Sequence, residues 1–242
     1  MKKILLFVLL IFLSSCIGDE TKFIHGNLWK ITSERGIESY IFATVHLYPK
    51  SEMKISEKAF SNLEKCKILV LEIDITDTLA YKKISNYEMP EYFKNASNAI
   101  ISEYGYENLE SMENELIQYA TEKGVAITGL ESADEMLEIM DRFDESEFSQ
   151  SEMNHDKLIK VFKETFEVYK EENIKAVHDT MFNQKPKMMK LIVNERNQNW
   201  LDDITKLVEK DPTFIAVGMA HLGGKNGILN LLSKKGYELK RM

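Results

Sequence analysis

Cysteine is nearly absent from this chain: Cys16 and Cys66 are the only two, so no framework of disulfides can staple the fold. A basic surplus is missing too. Thirty-one Lys and Arg face 39 Asp and Glu, and a net charge of −8 excludes the phosphate-binding footprint that nucleic acid requires. Glycine shows neither Walker nor dinucleotide-loop spacing, and no solenoid repeat is present. The purest apolar stretch is Ile4–Leu13. As a helix it would span about 15 Å, roughly half a bilayer core, which is too short for a permanent anchor.

That short run has a different meaning in context. Lys2 and Lys3 precede it and Leu13-Ser14-Ser15-Cys16 closes it. A charged start, a short apolar stretch and small residues make a secretory signal peptide over residues 1–15. The closing tetrad resembles the lipobox of bacterial lipoproteins, whose cysteine is acylated after cleavage. Cys16 is therefore the expected lipidation site, and two or more acyl chains on one residue anchor stably. Residues 16–25 read as a tether. Asp is absent directly after Cys16, which in two-membrane bacteria argues against retention at the inner membrane, so the expected location is the cell envelope, at the outer membrane or periplasm. Loss of Lys2 and Lys3 leaves the mature chain at about −10, enough residues for one substantial domain.

Past the tether, strands and helices alternate. Leu28–Thr32 and Tyr40–Ala43 read as a hairpin around Ser33–Gly36, and Ile68–Leu71, Val125–Leu130 and Thr213–Gly218 read as buried strands. Residues 54–66 have helical spacing. Residues 78–123 are mostly helical, with breaks near Pro90 and Gly105. Ser132 and Glu135 stand at capping-box spacing. A charged helical segment covers about 140–210, as roughly 151–174 and then 186–209. A last helix, Ile228–Lys234, precedes an edge strand at Tyr237–Lys240. The pattern predicts an α/β fold with a mixed central sheet over residues 26–242 and a helical insertion or lid.

In open α/β sheets, ligands gather outside the carboxyl ends of strands. Four such ends carry an imidazole or a carboxylate: His46, Glu72, Glu131 and His221. Two imidazoles and two carboxylates suit Mn, Co, Zn or Fe rather than a thiolate-loving ion. Each residue alone also fits an ordinary role, as a hydrogen-bonded histidine or a strand exiting to solvent. Cys66, between a helix and a strand, reads as a buried structural thiol. Met181, Met188 and Met189 read as helix packing rather than a metal site. Gly223–Gly227 fits either a plain turn or an anion-facing helix start. His25, His155 and His178 receive no role.

Four separated segments then carry a resemblance. Leu28-Trp29-Lys30-Ile31 with Tyr40–His46, Gly129–Glu135, Glu195-Arg196-Asn197 with Trp200, and Val217–Leu222 with Gly227 and Gly236-Tyr237 resemble the TraB/GumN family in order and spacing. The family includes the Tiki metalloproteases. The resemblance implies two βα-rich halves around a cleft and a centre built from two Gly-x-x-His motifs and an intervening glutamate. It implies His46, Glu72 and His221 as metal-binding, with Glu72, Glu131, Arg196 and Asn197 as catalytic-site residues. Mn or Co is the implied ion, with Zn as the further choice. The first motif departs from the pattern, because Ala43 stands where the family has glycine. A glycine there for close approach tolerates a methyl group; one at positive φ does not.

The expected function is a membrane-anchored, metal-dependent hydrolase of peptidase type. Its expected partners are a peptide or small-molecule substrate and the membrane reached by the lipid. The alternative is a non-catalytic haem- or metal-binding lipoprotein, with His46 and Tyr48 as conceivable haem ligands.

Overall fold

The structure is a computed structural model that describes residues 22–242. The signal peptide, Cys16 and most of the tether lie outside the described residues. From the N-terminal side the elements are β1 (Leu28–Thr32), β2 (Glu38–Thr44), the two-residue β3 (Tyr48–Pro49), α1 (Glu57–Leu63) and β4 (Ile68–Ile73). Then come α2 (Thr78–Asn86), α3 (Glu91–Tyr104), β5 (Leu109–Glu110), α4 (Met112–Lys123), β6 (Ala126–Glu131) and α5 (Ala133–Asp141). The last third holds α6 (His155–Lys170), α7 (Ile174–Gln184), α8 (Pro186–Met189) and α9 (Arg196–Lys210). It ends with β7 (Thr213–Gly218), α10 (Ile228–Lys234) and β8 (Glu238–Arg241).

The sheet is mixed, as the alternating pattern predicts, and the strands join one continuous array in the order β6-β4-β7-β2-β1-β8. β6, β4, β7 and β2 run parallel, while β1 pairs antiparallel with both β2 and β8. The parallel strands are buried apolar runs because helices cover them. Ile41, Leu69, Val70, Phe214, Ile215 and Val217 are fully buried. At roughly 1.5–3 kcal/mol per large side chain, that row dominates the drive to fold.

Local chemistry sets the helix ends. Ser56 and Ser111 cap α1 and α4, and Ser132 with Glu135 forms the anticipated capping box on α5. Pro90 and Gly105 bound α3, where breaks were anticipated. Two features of the helical third were not. Glu172 takes a positive φ of 56°, the only non-glycine to do so among the described residues, and separates α6 from α7. Residues Lys190–Glu195 form a π-helical segment leading straight into α9.

The helical third is not uniform in its packing. Phe166, Tyr169, Trp200, Ile204 and Val208 join the main core under the sheet. Met136, Ile139, Met140 and Leu191 make a separate small cluster, and Met188 and Met189 pack with Phe148 and Val193. The methionines thus fill apolar gaps, as read from the sequence. Cys66 is likewise buried, and burial pushes its thiol up to about 12.

Candidate functional site

Because β2, β4, β6 and β7 are parallel, their carboxyl ends open on one edge of the sheet. His46 follows β2, Glu72 lies near the end of β4, Glu131 ends β6 and His221 follows β7 in a short 3₁₀ turn. Gly129 helps this assembly: a Cβ there would come within 2.6 Å of the Asp74 backbone nitrogen, so only glycine lets β6 lie this close.

Arg196, the first residue of α9 after the π-helical segment, ties the edge together. It is 7% exposed. Its Nε donates to Glu131 at 3.0 and 3.2 Å, and Nη2 donates to Glu72 Oε2 at 2.6 Å and to Glu131. Its Cζ lies 4.5 Å from the Trp200 ring centre, and Trp200 Nε1 donates to Glu131 Oε2 at 3.0 Å. Both oxygens of Glu131 are therefore engaged. Burial pushes the Glu131 carboxyl up, with Arg196 and Trp200 pulling against it. This geometry makes Glu131 the seat of Arg196.

Glu72 is less encumbered. Oε2 accepts from Arg196, and Oε1 accepts from the Gly218 N–H at 2.7 Å. Burial opposes its charge, but Arg196, His221, His46 and the Gly218 amide together hold it well below the usual carboxylate range.

Asn197 fixes His221. Its Nδ2 donates to the carbonyls of His221 and Asn226 at 3.0 and 2.8 Å, so Oδ1 must face the ring and accept from His221 Nδ1 at 2.7 Å. The proton on Nδ1 leaves Nε2 with its lone pair, 3.6 Å from Glu72 Oε1. The ring also packs on Trp200, 4.6 Å between centres. Burial, with Arg196 nearby, lowers its pKa to about 3 despite the attraction of Glu72, so it is a neutral imidazole at ordinary pH.

His46 sits differently. Its side chain is 71% exposed, and Nδ1 lies 3.2 Å from Glu113 Oε1. Glu113, backed by Glu72, raises its pKa to about 9 against the charge of Arg196, and exposure to solvent screens part of that effect. Beside it is a pocket of about 230 Å³ in which Leu71, Ile73 and Ile75 supply apolar lining next to His46, Glu72 and Glu113.

Gly218 marks where these groups converge. A Cβ on it would lie 3.3 Å from Glu72 Oε1, 3.7 Å from His221 Cδ2 and 3.9 Å from His46 Nε2. Its φ of −53° is open to any residue, so this glycine serves close approach rather than an unusual backbone. The same distinction answers the Ala43 departure. Ala43 lies within β2, fully buried and outside positive φ, where a methyl group fits.

The structure thus brings together His46, Glu72, Glu131, Arg196, Asn197 and His221. Glu113 joins them without having been singled out from the sequence, because a glutamate two residues after Ser111 reads as an ordinary first-turn acid. Gly223–Gly227 forms a loop before the seven-residue α10. Tyr48 is 2% exposed, within the small β3–β5 ladder.

The donor chemistry suits a divalent ion: each imidazole has Nδ1 tied to an oxygen acceptor and turns its other edge toward one carboxylate oxygen, the usual outer-shell arrangement of metal-binding histidines. The side chains are not drawn into a coordination sphere, and among the described residues no group of three or more His, Cys, Asp or Glu stands close enough to hold an ion. Nor is any helix there long and apolar enough to cross a membrane.

No curated protein and no solved structure matches the chain. A family model does, in two overlapping stretches, residues 27–111 and 82–241, which together cover well over half of it. With the four strand ends, the arginine and the two histidines meeting at one edge of the sheet, the chain belongs to the TraB/PrgY/gumN family.

Proposed function

We propose that this chain is a lipid-anchored envelope hydrolase that works with a divalent transition metal, Mn or Co with Zn as the further choice, on a peptide or small-molecule substrate. The observation that carries the reading is the convergence of His46 Nε2, the His221 ring and Glu72 Oε1 around Gly218. His46, Glu72 and His221 would hold the ion, whose contribution when bound is Lewis acidity at a carbonyl.

The chain's own residues supply the rest. Asn197 keeps the His221 proton on Nδ1, and the neutral ring remains a donor at low pH. Glu72, held ionised, is the carboxylate that meets both imidazoles over Gly218. Arg196 is already bonded through Nη2 to two carboxylates, while its Nη1 reaches the Ile192 carbonyl at 3.2 Å and approaches His221 Nε2 at 3.5 Å. Its fork orients Glu72 and sets a positive charge where an oxyanion would develop. The Leu71, Ile73 and Ile75 lining favours an apolar side chain beside the reacting bond.

Metal content by plasma mass spectrometry tests this on the mature chain, beside a His46→Ala/His221→Ala double variant. One equivalent in the wild type, lost in the double variant, is expected, followed by hydrolysis on a peptide and ester panel. No ion in either protein after incubation with Mn, Co and Zn would overturn the metal reading. An ion without any hydrolysis would favour the non-catalytic carrier. Tyr48, one of the two conceivable haem ligands, is 2% exposed, which counts against the haem form of that carrier.

A further inference from the structure

We propose that Glu113 is a positioning residue of this site: by accepting the His46 Nδ1 proton it turns Nε2 toward Gly218, Glu72 and His221. The proposal rests on the reading that His46 serves the site, and it assigns a role to a residue on a different helix.

Glu113 is built into place from two elements. Thr44 Oγ1, from the end of β2, donates to its Oε1 at 2.7 Å, and Ser111 Oγ, the cap of α4, donates to Oε2 at 3.1 Å. The carboxylate is only 17% exposed, although a first-turn acid gains its dipole benefit equally well at the surface. The backbone before His46 is gripped from the same side. The Val45 N–H reaches Met112 Sδ at 3.4 Å, and the Tyr169 hydroxyl donates to the Ala43 carbonyl at 2.9 Å. Loop, threonine and helix start therefore aim one carboxylate oxygen at one ring nitrogen.

His46 needs such a partner more than His221 does. The His221 ring is buried and packed against Trp200; the His46 ring is largely in solvent, and among the described residues its one hydrogen bond is to Glu113. Without Glu113 the ring would rotate, and its proton would be free to sit on Nε2, the atom that faces the site. Glu113 thus does for His46 what Asn197 does for His221, with a charged acceptor in place of an amide.

The test compares the mature chain with Glu113→Ala, Glu113→Gln, Thr44→Val, His46→Ala and the Glu113→Ala/His46→Ala pair. Ring-nitrogen NMR shifts of His46, in metal-free protein at a pH where the ring is neutral, report which nitrogen holds the proton. Binding of Co(II) alone, followed by visible absorption, reports the site. In the wild type the proton is expected on Nδ1. Glu113→Ala is expected to move it mainly to Nε2 and to weaken Co(II) about 10–100-fold. Glu113→Gln, which still offers an oxygen, is expected to keep the Nδ1 proton and most of the affinity. Thr44→Val should fall between them, and it carries the same test if Glu113→Ala fails to fold. In the His46→Ala background, Glu113→Ala is expected to cost nothing further. Unchanged ring shifts in Glu113→Ala overturn the proposal, as do equal Co(II) losses with and without His46, since those mark a purely structural effect. Ring shifts that move as expected in a protein that binds no Co(II) support the positioning role and sink the metal reading instead.

Discussion

The two histidines of the site occupy similar places in the chain and opposite places in physical chemistry. Each follows a parallel strand, each has Nδ1 bonded to an oxygen, and each lies near Gly218. His221 is buried against Trp200 with an amide partner; His46 is mostly exposed with a carboxylate partner. Burial without a counter-charge at Nδ1 keeps the first neutral, whereas a carboxylate at Nδ1 favours the charge on the second. One side of the site is rigid and fixed in protonation, and the other is adjustable.

The buried side should break first. Arg196→Ala removes the guanidinium between Glu72 and Glu131 and leaves two buried carboxylates facing one another. Stripping one partner from a buried ionic group typically costs about 3–5 kcal/mol. Urea unfolding would read this, and a loss below about 1 kcal/mol would show that the arginine is not holding the edge. Arg196→Lys keeps the charge without the fork and should fall between.

Acid should separate the histidines next. The folded pKa of His221 is lowered to about 3 from an unfolded value near 6.5, so between those values the unfolded chain binds a proton that the folded one does not. Stability is then fully present above pH 6.5 and is lost as pH falls. The groups facing this ring are Glu72, Arg196 and His46. Over pH 6.5 to 5, above most of the carboxylate range, the loss is on the order of 1.5–2 kcal/mol. His46 is charged in both states over the lower part of that range and adds little. A His221→Asn variant should show a flatter profile by that amount; an unchanged slope would contradict the buried neutral ring.

The exposed side shows the opposite sign. His46 has its pKa raised to about 9, because Glu113 and Glu72, against the opposing charge of Arg196, favour a charge that the unfolded chain sheds near pH 6.5. Its stabilisation is complete below pH 6.5 and is lost as pH rises through 9. Solvent around a ring this exposed makes the alkaline decline smaller than the acid one. Glu113→Gln should remove the decline and lower the His46 pKa in an NMR titration. A decline that persists in Glu113→Gln would place its origin elsewhere.

What the sequence disclosed about these two sides follows from how each residue is placed. His46, Glu72, Glu131 and His221 were legible because a buried strand announces its own end, and parallel strands share an edge. Arg196 and Asn197 were legible only through the family resemblance, since on a charged helix they look like solvated residues. Nothing local announces the π-helical turn over Lys190–Glu195 that precedes Arg196. Glu113 was hidden by having two reasons to exist, as a first-turn acid and as a neighbour of His46. Its second reason depends on β2 and α4 meeting across 67 residues of chain. α7 was not read as a helix of its own, because it falls between the two expected stretches, and Glu172 breaks the chain before it at positive φ without the glycine that usually signals such a turn.

The smallest stability effect is the sharpest probe of the comparison, because the two motifs already differ by a methyl group. Ala43 carries one in the buried strand, whereas Gly218 carries none at the convergence of Glu72, His221 and His46. Ala43→Gly should cost about 1 kcal/mol through the freer unfolded chain and lost packing, and leave metal content as it was. Gly218→Ala has a backbone that accepts alanine, and its only tight neighbour is Glu72 Oε1 at 3.3 Å, so its cost should be about 1 kcal/mol or less. Yet its methyl would fill the space that the three donors surround. Equal, small shifts in Tm but loss of the ion only in Gly218→Ala would mean that the second motif's glycine keeps the centre open, while the first motif's position belongs to the core. If Gly218→Ala holds Co(II) as tightly as the wild type, the ion sits elsewhere and the convergence over Gly218 is not where it binds.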